Sequence, residues 1–349
     1  MTYPYFVGYV SIKDLPTLKK EDIYKSEVIN LAFAHIKEGK VVSKLANYKE
    51  YLDWIRKVKP SIRLVLSIGG WSAGGFSEAA SSQETRRRFI DSALKQIETY
   101  ALDGIDLDWE YPCISIAGIK ASPKDKTNFT SLLKELREAM DENLFHEKML
   151  TIAVAGDEYY IHCTQMDQVQ KYVDYVQLMT YDLRGGFSVQ TGHHTNLYSN
   201  KNDLSRASAK KAVEDYIQAG VPRKKLVLGV AFYSRMWQKV PDVDQGIMQM
   251  AGTTGGYGPP YHELVKDYIN KNGYTRYWDD EAKAPYLFNG NTFISYDDQE
   301  SLSHKIDFVE QERLGGIMYW EYGTDRTGSL LDYIYQCRQK NVCQRRVQC

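Results

Sequence analysis

The chain has 349 residues, 43% of them hydrophobic and 26% charged, with 44 basic side chains against 45 acidic ones. A net charge of −1 excludes the basic excess of a nucleic-acid binder, and the apolar fraction suits a packed core. No apolar stretch, Leu226 to Phe232 included, approaches the roughly 20 residues that span a bilayer, so no membrane segment is expected.

In chain order, the start Met1-Thr-Tyr-Pro-Tyr-Phe-Val-Gly-Tyr-Val lacks a basic region followed by an apolar one. No secretion signal is visible in it. Short β-branched runs then recur, predicting strands at Phe6–Val10, Val28–Phe33, Arg63–Ile68, Gly104–Trp109, Met149–Ala155, Tyr175–Met179, Leu226–Ala231 and Gly316–Trp320. Amphipathic stretches such as Gln83–Tyr100, Lys126–Asn143 and Ser208–Ala219 separate them. Near-continuous apolar strands alternating with helices indicate a parallel sheet covered on its faces. Eight such units predict an α/β fold, a (β/α)8 TIM barrel of about 250 residues.

Residues 236–296, between the seventh and eighth strands, are too many for one crossover loop. They predict a small α+β insertion domain on the C-terminal face of the barrel, with a hairpin at Asn289-Gly290-Asn291. A long irregular loop is the alternative. The barrel is then expected from residues 1–235 and 297–335, and 336–349 read as a basic, solvated tail. Cys337, Cys343 and Cys349 fall in that tail. A core of this size needs no disulfide, so a local bridge, an intermolecular one or none stay open. The absence of a C-x-x-C pair argues against zinc, and the scattered histidines, His193 and His194 included, are expected at the surface. Aromatics reach 13%, with 27 Tyr and 6 Trp, the composition a sugar-binding cleft needs for stacking on apolar sugar faces.

The chemistry concentrates in Asp103-Gly-Ile-Asp106-Leu-Asp108-Trp-Glu110-Tyr-Pro112. On a strand, Asp106, Asp108 and Glu110 share one face, and Ile105, Leu107 and Trp109 the other. The apolar set is expected against the outer helices and the acids inside, with Glu110 at the rim where barrel enzymes place catalytic groups. Carboxylates about 6.5–7 Å apart along a strand and screened from water cannot all ionise cheaply, so a proton is shared among them. That lets Glu110 act as an acid near neutral pH. A solvated edge-strand face is the competing reading, and the apolar residues at every intervening position count against it.

This segment resembles the D-G-x-D-x-D-W-E signature of glycoside hydrolase family 18, the chitinases and their relatives, at all four acidic positions. Ser67-Ile-Gly69-Gly70-Trp71, Met179-Thr-Tyr181-Asp182, Gly229-Val-Ala-Phe-Tyr233-Ser-Arg235 and Gly316-Ile-Met318-Tyr-Trp320-Glu321 are similar to further family motifs, in the family's order. The resemblance runs from about Val7 to Trp320. It implies a retaining hydrolase in which the substrate's own acetamido group replaces an enzymic nucleophile, and for which no cofactor or metal is needed. The expected substrate is chitin or chitooligosaccharide, and the expected enzyme a secreted monomer with its signal absent from this chain.

By the same resemblance Glu110 is the acid/base. Asp108 orients the acetamido N–H and Asp106 takes up the proton or charge that Asp108 leaves. Tyr181 hydrogen-bonds the acetamido carbonyl, and Trp320 floors the −1 sugar. Asp182 contacts that sugar or the acid's surroundings, and Arg235 binds hydroxyls, buttresses the carboxylates or pairs with the insertion. Tyr9, Phe33 and Met179 are candidates to line the pocket, and Trp71, Trp237 and Trp278 to stack on more distant sugars. Ser67 is expected to hydrogen-bond Asp106, Asp103 to be structural, and Gly69 and Gly70 to permit close backbone approach. Ala231 and Ser234 depart from the Pro and Gly of many relatives, so outer subsites are expected to differ. A chitin-binding lectin on the same barrel, a spore-cortex hydrolase and an endo-β-N-acetylglucosaminidase are the rival readings; the intact acid row opposes the lectin.

Overall fold

Strands whose side chains are buried on both faces need helices outside and a filled lumen inside, and a closed barrel supplies both. The structure is a computed structural model that describes residues 5–143 and 145–347, with side chains as far as residue 339. Parallel strands β1 (Tyr5–Ser11), β2 (Val28–Lys37), β3 (Arg63–Gly69), β4 (Gly104–Asp108), β5 (Met149–Ala155), β6 (Tyr175–Met179) and β7 (Leu226–Ala231) follow one another around it. After an excursion of five strands the circle is completed by β13 (Gly316–Trp320), and β1 pairs with both β13 and β2. All eight expected strands are present. Inward positions such as Val7, Tyr9, Val65, Met149, Val227 and Met318 form one buried cluster. Outward positions such as Phe6, Ile29, Leu66, Ile105, Leu107 and Ile152 join a larger one beneath the helices.

The main outer helices are α1 (Lys49–Val58), α2 (Gln83–Tyr100), α3 (Asp125–Glu142), α4 (Ala209–Gln218), α5 (Gln299–Gln311) and α6 (Ser329–Val347). Helix α2 starts at a reciprocal cap, in which the Thr85 N–H donates to the Ser82 hydroxyl and the Ser82 N–H to that of Thr85. It buries Phe89, Ile90, Ala93 and Ile97, the one-sided spacing of an amphipathic helix. Helix α6 departs from the expected solvated tail. Arg338 is 8% exposed, pairs with Glu27 at 3.0 Å and lies over the Phe6 ring, because its long stem covers the barrel floor while its head finds a carboxylate. Cys337 is half-buried; the side chains of Cys343 and Cys349 lie outside the described residues.

The excursion forms an antiparallel sheet in the order β9 (Gly256–Pro260), β8 (Tyr233–Gln238), β12 (Thr292–Ser295), β11 (Ala284–Phe288), β10 (Thr275–Asp279). Asn289 Oδ1 accepts from the Asn291 and Thr292 N–H groups in the β11–β12 turn, and Gly290 supplies its φ of 87°. Trp237, Val240, Tyr286, Phe288 and Phe293 fill this sheet's own small core.

Candidate active site

Register decides what surrounds the acid row. Ser67 on β3 and Thr151 on β5 lie directly beside Asp106 on β4. Fully buried, Asp106 accepts from the Tyr9 hydroxyl (2.8 Å) and the Ser67 hydroxyl (2.7 Å) on Oδ2. On Oδ1 it accepts from the Thr151 hydroxyl (2.7 Å) and the Gln177 amide (2.8 Å). The far side of Gln177 is held in turn by the Asn30 amide at 3.0 Å. A carboxylate offers about four lone-pair sites, so Asp106 is saturated. Burial pushes its pKa up, and the four hydrogen bonds oppose that push.

Asp108 has no such support. It is 4% exposed, and its Oδ1 has no hydrogen-bond partner. Burial, then the charges of Glu110 and Asp106, hold its pKa well above the ordinary value. Glu110, just past the strand end, is pushed up to about 7 by burial; the Tyr111 hydroxyl opposes the shift and the Asp182 charge adds to it. On the other face Trp109 is fully buried, stacked on Phe76 at 5.2 Å and edge-on to Phe129 at 5.5 Å, as its parity predicts. Gly69 has a φ of 122°, and a Cβ there would sit 2.0 Å from the Asp108 carbonyl oxygen, so only glycine lets β3 pass so close to the acid row. Asp103 is structural: it accepts from Arg56, the Leu64 N–H and Lys148 at 2.8, 2.9 and 3.2 Å.

Across the mouth, Phe33 stacks on Trp320 at 5.3 Å, and Tyr9 meets Trp320 edge-on at 5.5 Å. The buried Tyr181 hydroxyl donates to Met318 Sδ at 3.8 Å, a weak acceptor. Burial first, then the nearby carboxylates, keep that phenol protonated. Met179 packs half-buried against the inner cluster. Asp182 is partly open to solvent, and Arg235 Nε donates to its Oδ1 at 2.6 Å. Burial alone would raise the Asp182 pKa, but its contacts with His194 and Arg235, together with the Arg235 charge, hold it well below the carboxylate range. Arg235 belongs to β8 of the second sheet and reaches back to the barrel, lying 3.9 Å over the Tyr257 ring on β9.

Several expectations need correction. Trp237 is fully buried in the core of the second sheet, its indole N–H donating to the Ser188 carbonyl at 2.9 Å, so no sugar can reach its ring. Trp278 sits on β10, the strand at one edge of that sheet, packed 5.7 Å from His304. Of the three stacking candidates Trp71 alone lies at the mouth, 45% exposed and beside Tyr111 and Phe187. His193 and His194 are not at the surface: they are 4% and 0% exposed and contact Asp279 and Asp182 at 3.1 and 3.5 Å. The partner of His193 lies 86 residues on and that of His194 12 residues back, so no adjacent residue announces the burial. Gln177, Thr151 and Phe187 also escape the sequence reading. Gln177 carries a usable signal, since it shares inward parity with Met179 on an expected strand.

The chain matches the Glycosyl hydrolases family 18 model over residues 4–325. It is 36% identical to Chitinase A1 of Niallia circulans over 299 residues, which is 80% of this chain and 43% of that protein. The chain therefore spans less than half the length of that relative. Among solved structures, a glycoside hydrolase family 18 N-acetylglucosaminidase from Paenibacillus barengoltzii superposes with a TM-score of 0.94 at 52% identity, covering 96% of this chain and 99% of that one. The Ostrinia furnacalis Group IV chitinase in complex with allosamidin gives 0.86 at 28% identity, covering 97% and 99%. This chain belongs to the family 18 glycosyl hydrolases.

Proposed function

We propose that the chain hydrolyses β-1,4 bonds between N-acetylglucosamine units of chitin or chitooligosaccharides, with retention of configuration and assistance from the substrate's acetamido group. The observation that carries this reading is Glu110, its pKa pushed up to about 7 at the open end of a buried carboxylate row. A glutamic acid still protonated near neutral pH can donate to the glycosidic oxygen as the C–O bond breaks. The acetamido carbonyl then closes on the anomeric carbon, giving an oxazolinium ion and a departed alcohol. Glu110, now a carboxylate, takes a proton from water as the water attacks that carbon and reopens the ring.

Asp108 stabilises the positive charge of the oxazolinium as a carboxylate accepting from its N–H, and to become a carboxylate it gives up its own proton. Asp106 is the next acceptor down the row, yet its four sites are filled. One of three hydroxyl donors, Tyr9, Ser67 or Thr151, must rotate to make room; the Gln177 amide cannot reverse without breaking its bond from Asn30. The Tyr181 hydroxyl, engaged only by a weak sulfur acceptor, is available to the acetamido carbonyl and holds it in line. Trp320, backed by Phe33, floors the sugar. No step calls for a metal. A polymeric substrate outside the cell makes an extracellular enzyme the matching setting.

Hydrolysis of an aryl chitobioside beside a high-mannose glycopeptide tests the substrate: turnover of the chitobioside is expected, and cleavage of the glycopeptide alone overturns the reading. A second reading, removal of single terminal N-acetylglucosamine units, is favoured by the 52% identity to the Paenibacillus N-acetylglucosaminidase. The first products from chitohexaose decide it. Monosaccharide from the earliest time points supports terminal action, and disaccharide supports internal or chitobiose-releasing action.

A further inference from the structure

Asp182 has a left-handed backbone, φ 56°, a conformation that non-glycine residues keep only when their surroundings impose it. One residue, His194, borders it on two sides. The Leu183 N–H donates to the His194 carbonyl at 3.1 Å. The Asp182 N–H lies 3.4 Å from His194 Nδ1, and Asp182 Oδ1 lies 3.5 Å from the same nitrogen. His194 is itself immobilised: it is 0% exposed, its N–H donates to Ser295 Oγ at 2.9 Å, and its ring packs 5.3 Å from that of Tyr233.

The two contacts at Nδ1 exclude each other in a neutral ring. Nδ1 accepts from the Asp182 N–H in one tautomer and donates to the Asp182 carboxylate in the other. A hydrogen bond to an ionised acceptor is the stronger of the two. Burial lowers the His194 pKa, with the Asp182 and Asp297 charges opposing and Arg235 assisting, so the ring stays neutral. Asp297 is already ion-paired with Lys305 at 2.7 Å. Nε2 is buried with no partner, which suits a bare acceptor nitrogen better than a donor.

We propose that His194 is a positioning residue, a neutral imidazole protonated on Nδ1 that clamps Asp182 against Arg235 and fixes its charge beside Glu110. This rests on the reading of Glu110 as the acid, because only then does the placement of Asp182 bear on turnover.

Two measurements test it. In protein carrying 15N-labelled histidine, long-range proton–nitrogen correlation at pH 6 is expected to show His194 as the neutral Nδ1–H form; an Nε2–H or doubly protonated ring overturns the proposal. In kinetics, H194F is expected to lose about tenfold to a hundredfold in kcat/KM, the scale on which small misplacements act. Its alkaline limb moves to lower pH, because a displaced Asp182 no longer supports the Glu110 proton. H194N, whose amide nitrogen sits near the place of Nδ1, is expected to recover most of both. An H194F enzyme with the wild-type pH profile, or an H194N enzyme no better than H194F, overturns the clamp. If the wild-type protein turns over no chitobioside, the acid assignment fails, while the tautomer measurement still judges His194.

Discussion

Asp108 and Asp182 are both aspartates at the mouth of one barrel, yet their surroundings drive them to opposite proton states. Asp108 is buried among other carboxylates, has an unpartnered oxygen and is pushed well up. Asp182 stands partly in solvent, beside Arg235 and His194, and is held down. Depth alone does not distinguish them, since burial raises both; the partners decide the sign. One wall of the site therefore stores a proton and the other stores a fixed negative charge. Glu110 lies between, raised by its own burial and then by the charge of Asp182.

The strongest way to break this picture is at Glu110. Glu110→Gln keeps the shape and removes the proton, and is expected to lose at least about a hundredfold in turnover, as positioned acids do. A variant retaining more than roughly a tenth of the wild-type rate rules the assignment out. Asp108→Asn comes next: turnover falls severely and the pH profile changes form, because the row can no longer pass its proton. An Asp108→Asn enzyme with the wild-type profile would count against sharing.

Asp182→Asn sharpens the comparison from the other wall. In wild type the acid is competent below about 7 and lost as pH rises through that value, so kcat/KM declines on its alkaline side there. Removing the Asp182 charge is expected to move that decline to lower pH; a move to higher pH would mean that Asp182 does not support the Glu110 proton.

Stability gives a smaller effect of defined sign. The folded-state pKa of Glu110 is above its ordinary 4.5, so the folded protein binds more protons than the unfolded chain between those values. Its stability therefore falls as pH rises through that window. Glu110→Gln removes this dependence and is expected to melt a few degrees above wild type at pH 8, with the gap closing by pH 4. An equal gap at both pH values, read by calorimetry, would place its origin elsewhere.

The strands and the acid row are legible because each carries a period. Runs such as Arg63–Gly69 and Leu226–Ala231 are apolar on both faces, and parity alone separates Asp106 from Leu107. What stays illegible is whatever long-range contact decides. The burial of His194 depends on Asp182 and Ser295, which its neighbours in sequence do not announce. Trp237 and Trp71 are the same residue type near strand ends, and only the second sheet's packing turns the first into core. Arg338 reads as tail until Glu27 and Phe6 appear beneath it.

The mildest prediction concerns the open rim. Trp71 is 45% and Phe187 78% exposed, with ring centroids 6.3 Å apart. Large rings held this open to water at the mouth of a sugar cleft suit stacking on units beyond the reacting one. An aromatic contact worth about 0.5–1.5 kcal/mol beyond area corresponds to roughly a twofold to tenfold change in affinity. Trp71→Ala and Phe187→Ala are therefore each expected to raise KM for chitohexaose by a few-fold, with a smaller change on an aryl chitobioside. Because the rings touch, the double variant should fall short of the summed single effects. Equal losses on long and short substrates would move the pair from the rim into the reacting pocket. Full additivity would mean that each ring holds a different sugar.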